Sequence, residues 1–286
     1  MIYSSHRPEG LPVVPAAEIN SRIRRGQAVE QDGVRIEGDL ELAGPGLADG
    51  GGGLLQVASP LTITNSLIEG MVSFSQGAFG GPVDFDGTAF QGPVRFVSSR
   101  FAGEASFAGA RFVGEADFQG SAFDGPARFQ ESRFLGLASF EQSSFNGRLS
   151  FWKARFCRLA SFRGAQFSGY ASFWGARFGG PAYFYDSLFQ GQASFWAARF
   201  DGPACFYQSG FQGDVHFNES RFAGDADFLR ATFRGDASFG LARFDGRAYF
   251  GRSRFSRDAD FTGAWFGGDV DFRESELIAS GQQCRL

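Results

Sequence analysis

All 37 Phe of this chain lie between Phe74 and Phe272, and the gaps between neighbours alternate strictly between five and six residues. The run opens with Phe74, Phe79, Phe85, Phe90, Phe96 and Phe101, and continues for 18 periods of 11 without an insertion. A segment of five or six residues cannot bury a Phe ring alone. A chain that returns and stacks on itself can. Two residues before each Phe stands a small residue, nearly always Ala, Ser or Val, as in Ala105 before Phe107 and Ser132 before Phe134. Residues i and i+2 share one face of an extended segment, so each short segment turns a small residue and a Phe inward.

Two residues after every second Phe comes Gly, in 16 of 18 periods, with Arg158 and Arg257 in the other two. This is the six-residue spacing. Its extra residue is expected to turn a corner, where Gly takes a positive φ cheaply. Pro82, Pro93, Pro126, Pro181 and Pro203 follow such a Gly directly, as turn chemistry allows.

The outward positions set the length of one coil. Arg111, Arg133, Arg155, Arg177, Arg199, Arg221 and Arg243 recur every 22 residues, as do Trp152, Trp174 and Trp196. Positions offset by 11 from the Arg run, such as Ala122, Ser144, Gln166 and Leu188, share no such preference. A coil therefore has four sides. Coils should stack at about 4.8 Å, the spacing of paired strands.

The A-x-F-x-x ladder resembles the pentapeptide-repeat family, in a Phe-rich variant whose units alternate five and six. The resemblance implies an all-β chain folded as a right-handed quadrilateral β-helix. It also implies non-enzymatic binding roles: some bacterial members resemble DNA in shape and charge, bind DNA gyrase and topoisomerase IV, and confer quinolone resistance. This chain departs from that pattern. Its net charge is only −4, its centre is basic, and its ladder has no loop insertion. No functional residue of those members maps onto it.

The β-helix is expected over 57–277, since Val57, Ile63 and Ile68 carry the ladder backward. Residues 1–56 then form an N-terminal cap and an irregular first coil. Val34, Ile36, Leu40 and Leu42 alternate as in strands, residues 15–25 suit a short helix closed by Gly26, and 44–53 reads as a flexible Gly-rich excursion. Residues 278–286 form a tail. Either the tail folds over an open apolar end, or two chains meet there as a homodimer.

Chemistry is sparse. Three Cys exclude a disulfide scaffold. No phosphate loop, dinucleotide fingerprint or zinc spacing occurs, so no cofactor or metal is expected. His6 lies in the N-terminal segment. His216 stands between Ser194 and Ser238 at one coil position, a polar ladder rather than a nucleophile with its base. Asp214, Asp236 and Asp258 form an acidic ladder. Cys157 and Cys205 read as surface thiols on one side. No apolar run reaches transmembrane length and the N-terminus lacks signal-peptide character, so the expected location is the cytoplasm, without membrane contact.

The sharpest candidate is a docking band. Trp152, Trp174 and Trp196 are expected on the same flat side as Arg133, Arg155, Arg177 and Arg199, with guanidinium groups stacked on indoles. Tyr185 and Tyr207 would stack on the opposite side. Residues 1–141 carry 17 acids and 10 bases (−7), residues 142–200 one acid and seven bases (+6), and residues 201–286 carry 13 acids and 10 bases (−3). Exposed aromatics with Arg are enriched at protein interfaces. The expected role is a scaffold that binds a protein partner or its own copy. Binding of an anionic polymer such as nucleic acid, and gyrase modulation by DNA mimicry, are the alternatives.

Overall fold

The computed structural model describes residues 10–42 and 55–277. The Gly-rich stretch 44–53, the tail 278–286 and His6 fall outside the described residues. The chain winds into a parallel β-solenoid of about twelve turns with four sheets, one of 12 strands and three of 11. Each strand of the ladder pairs in register with the residue 22 positions on, so Arg111 meets Arg133 and Arg133 meets Arg155.

From Val83 onward every strand of the four-sided coils is two residues long. One coil runs Ala171–Ser172, Arg177–Phe178, Ala182–Tyr183 and Leu188–Phe189. The four sides are named here by those strands: the serine, arginine, tyrosine and leucine faces, met in that order along the chain.

The interior is a Phe column packed two ways. Rings one coil apart lie face to face, as Phe173 and Phe195 do at 4.8 Å between centroids. Rings from opposite faces meet edge to face, as Phe173 and Phe184 do at 5.3 Å. Both arrangements suit the ring quadrupole. Small residues two positions earlier complete the core, with Ala105, Ala127 and Ala171 fully buried. Where that residue is Ser, its hydroxyl commonly donates to a main-chain carbonyl of a Phe, as Ser132 does to Phe129 at 2.7 Å and Ser220 to Phe217 at 2.6 Å, whereas the buried hydroxyls of Ser187 and Ser253 have no partner among the described residues.

The two corner types overturn the expected role of Gly. Positive φ occurs in the five-residue spacing, two residues after the Phe that opens it, at Gln76, Gly87, Ser98 and onward every 11 residues. Each is the third residue of a tight turn closed by the Phe carbonyl, as when Ala176 N–H donates to Phe173 O at 3.0 Å. A positive φ at that position is the mark of a type II turn. Gly of the six-residue corner, such as Gly114, Gly213 and Gly224, is held there by crowding instead. A Cβ on Gly213 would lie 2.7 Å from the backbone carbon of Gly191 in the preceding coil. Backbone rides directly on backbone at this corner, and Gly leaves room for it.

The N-terminal end is closed as expected. A strand at Val13–Pro15 (β1) adds to the arginine face beside Arg35–Glu37. It leads into a helix at Ala16–Arg24 (α1), followed by Gly26 with φ of +66°. Ala16, Ile19 and Ile23 of α1 are buried against the first coil. Asn20 fastens it, donating to Asp39 O at 2.9 Å and accepting from Glu41 N–H at 3.1 Å. The strands Val29–Asp32 and β1 were not foreseen, since neither continues the Phe register. Val57, Ile63 and Ile68 carry the ladder backward as buried residues.

Candidate docking surface

The arginine face carries Arg133, Arg155, Arg177 and Arg199 in consecutive paired strands, all exposed. In-register pairing forces the guanidinium groups into a column at about 4.8 Å per coil. Like charges at that spacing repel, and the column answers this unevenly. Arg177 donates to Asp201 at 2.7 Å. Arg221 and Arg243 both donate to Asp245, at 2.7 and 2.6 Å. Those two hydrogen bonds hold the Asp245 carboxyl below its ordinary range. Among the described residues, no ion pair or side-chain hydrogen bond holds Arg133, Arg155 or Arg199. The same is true of Arg158, exposed beside the column at a six-residue corner.

The three Trp do not share the flat side with the Arg column. Each follows the Phe that opens a tight turn, so Trp152, Trp174 and Trp196 sit on the corner where the serine face turns into the arginine face. Trp152 and Trp174 stack at 5.8 Å with planes 12° apart. Trp174 and Trp196 are about two-fifths exposed. The cation on this stack is Lys153, the single Lys of the chain, whose Nζ lies 4.3 Å from the Trp152 ring and 6.0 Å from that of Trp174. The expected guanidinium stacking occurs elsewhere, at Arg243 over Trp265, 4.3 Å apart. Trp265 ends the Arg column, 22 residues beyond Arg243, and that spacing was enough to find it. The neutralising Asp201 and Asp245 were equally legible, each two residues after a column Arg.

Tyr185 and Tyr207 lie on the diagonally opposite corner, where the tyrosine face turns into the leucine face, both half-buried. The ring beside Tyr185 is that of Tyr183, at 5.8 Å and 64°, and Arg163 lies over it at 5.1 Å. The expected Tyr185–Tyr207 stack is therefore replaced by a Tyr pair within one coil. The Trp corner and the arginine face come together as one continuous surface, and the Tyr pair stands apart from it.

The remaining polar ladders are placed as follows. His216 pairs in register with Ser194 and Ser238, and its Nε2 lies 2.8 Å from Gln192 Nε2. No group of three or more His, Cys, Asp or Glu able to hold a metal ion occurs among the described residues. Cys157 and Cys205 were expected on one side but occupy different ones. Cys157 is exposed just past the arginine face, whereas Cys205 is half-buried in the tyrosine face between Tyr183 and Asp227. Burial, then the nearby Asp227 and Asp186 carboxylates, push the Cys205 thiol up, opposed by a hydrogen bond from the backbone at Tyr207. At the C-terminal end Trp265, Val270 and Leu277 are exposed. No helix among the described residues is long and apolar enough to cross a membrane.

A family model described as pentapeptide repeats (9 copies) matches the chain at residues 74–122, 118–158, 158–199, 195–243 and 239–278. No curated protein and no solved structure matches it.

Proposed function

The chain belongs to the pentapeptide-repeat family, and from that premise we propose that it is a non-enzymatic scaffold that docks a macromolecular partner on its arginine face and the adjoining Trp corner. The observation that carries this reading is the coincidence of two features. Arg133, Arg155 and Arg199 are exposed without an ion pair or side-chain hydrogen bond among the described residues, and Trp174 and Trp196 expose a large part of their rings beside them. Desolvated Trp and Arg are the side chains most often found as anchors of binding energy. A row of exposed indoles contributes nothing to solubility. The reactive groups support a scaffold over an enzyme, because they are dispersed on flat faces. His216 is bonded to a Gln rather than to a carboxylate that would orient it for base catalysis.

The gyrase-directed reading has less behind it. It asks for an acidic rod, and the central coils carry seven bases against one acid.

The test is capture from host lysate with the parent and with a Trp152→Ala/Trp174→Ala/Trp196→Ala variant, after matching their thermal melts. A partner retained by the parent and lost by the variant is the expected result. Identical capture by both would remove the band from function.

A further inference from the structure

We propose, resting on the docking reading above, that the arginine face receives a short acidic segment of a protein partner, laid along Arg133, Arg155 and Arg199 with Arg158 at its side. Among the described residues these four guanidinium groups have no intrachain anion, while Arg177, Arg221 and Arg243 are already held by Asp201 and Asp245; Arg148 and Arg163 also lack an anion but lie over the rings of Tyr170 and Tyr185. Among the described residues the anion-seeking part of the column thus runs from Arg111 to Arg199, interrupted at Arg177, and stops before Arg221 and Arg243. From Arg133 to Arg199 is three coils, about 14 Å at the strand spacing, which an extended peptide spans in about five residues.

Three features choose a peptide over a nucleic acid. The first is length. The +6 zone covers residues 142–200 and is bounded by segments of −7 and −3. A long polyanion would run onto acidic coils at either end, whereas a short segment laid from Arg133, one coil before the positive zone, to Arg199 stays on or next to it. The second is the Trp stack. Binding of single strands relies on open ring faces for the bases. Here one face of Trp152 meets Trp174 and Lys153 Nζ also lies over its ring. Rings stacked along the rod present their edges outward, and the edge of an indole is its positive side. The Trp corner therefore adds to the attraction for carboxylates. The third is an apolar strip on the other flank of the column, where Leu135 is half-buried and Leu137 is 46% exposed. Such a strip suits aliphatic side chains between the acids of a peptide and has no use for a sugar–phosphate chain.

The experiment uses the full chain and a dye-labelled hexapeptide of alternating Glu and Leu, followed by fluorescence anisotropy across a salt series, with an oligothymidylate as rival probe. The peptide is expected to bind, and to bind more weakly as salt screens the contact. An Arg155→Gln/Arg199→Gln variant is expected to lose about tenfold or more in affinity. An Arg221→Gln/Arg243→Gln variant removes as much charge from the same column and is expected to change affinity less than about twofold, because those groups already have Asp245. Equal losses in the two variants would overturn the proposal, as would tighter binding of the oligothymidylate or no peptide binding at millimolar concentration. If lysate capture still depends on the Trp residues while the peptide fails to bind, the docking surface stands and the acidic segment falls.

Discussion

Phe173 and Phe195 lie face to face with ring planes 2° apart, and Phe173 stands at 89° to Phe184 in its own coil. Most internal Phe rings thus belong both to a stack running along the rod and to edge-to-face contacts across it. Phe173 itself is fully buried. Phe173→Ala removes one ring from both networks, and stability is expected to fall by about 3–5 kcal/mol, the range for a buried Phe. Phe173→Asp places a carboxylate without a partner in the same space and should prevent folding of the central coils. Urea melts followed by circular dichroism test both. A Phe173→Asp protein that melted like the parent would show that the ring is not part of the core.

The Phe period, the 22-residue coil and the capping helix are legible in the sequence because each rests on strict spacing or a well-placed Gly. What fails is the assignment of outward residues to corners or faces. Alternation separates inside from outside, but Trp152 and Arg155 are both outside, and spacing alone does not tell a turn position from a strand position. The left-handed corners are equally hidden. They are filled by Asn65, Gln76, Ser98, Glu131, Lys153, Ala197 and Leu241, which share no chemistry. The turn's hydrogen bond and the stacked coils impose the conformation, whatever side chain is present. The conspicuous Gly of the six-residue corner reports crowding between coils, a tertiary fact that propensity does not encode.

Asp245 joins Arg221 and Arg243. Its carboxyl is held down by hydrogen bonds first from Arg243 and then from Arg221. A carboxyl with a lowered folded pKa adds stability that is present above its unfolded value, near 4. That stability is lost as pH falls through the folded value. Between about pH 5 and pH 2 the parent should therefore lose slightly more melting temperature than Asp245→Asn. The effect should be small because the pair faces water. Parallel pH profiles for the two proteins would show that Asp245 does not hold the column together.

Cys157 and Cys205 should differ in reactivity. The thiolate is the species that reacts. Cys157 is exposed, while Cys205 is half-buried with its thiol pushed up chiefly by burial. At about pH 8 iodoacetamide should label Cys157 at least about tenfold faster than Cys205. Peptide mapping of a labelling time course measures this, and equal rates would contradict the placement of Cys205 in the tyrosine face.

Gly213 and Gly175 separate the two corner types in one experiment. A Cβ on Gly213 would sit 2.7 Å from both the carbon and the oxygen of Gly191, and backbone cannot swing aside as a side chain can. Gly213→Ala should cost about 1–3 kcal/mol, the range for overpacking. Gly175 has φ of +64°, but its added Cβ would meet only Lys153 Cγ at an ordinary 3.5 Å. The equivalent positions hold Asn65, Lys153 and Asp186 with φ of 49°, 54° and 58°. Asn tolerates the left-handed region well. The strain that remains is offset by the smaller entropy of the unfolded chain. Gly175→Asn should therefore stay within about 0.5 kcal/mol of the parent. The reverse order of melting temperatures would mean that backbone conformation, not the approach of successive coils, selects Gly at the six-residue corner.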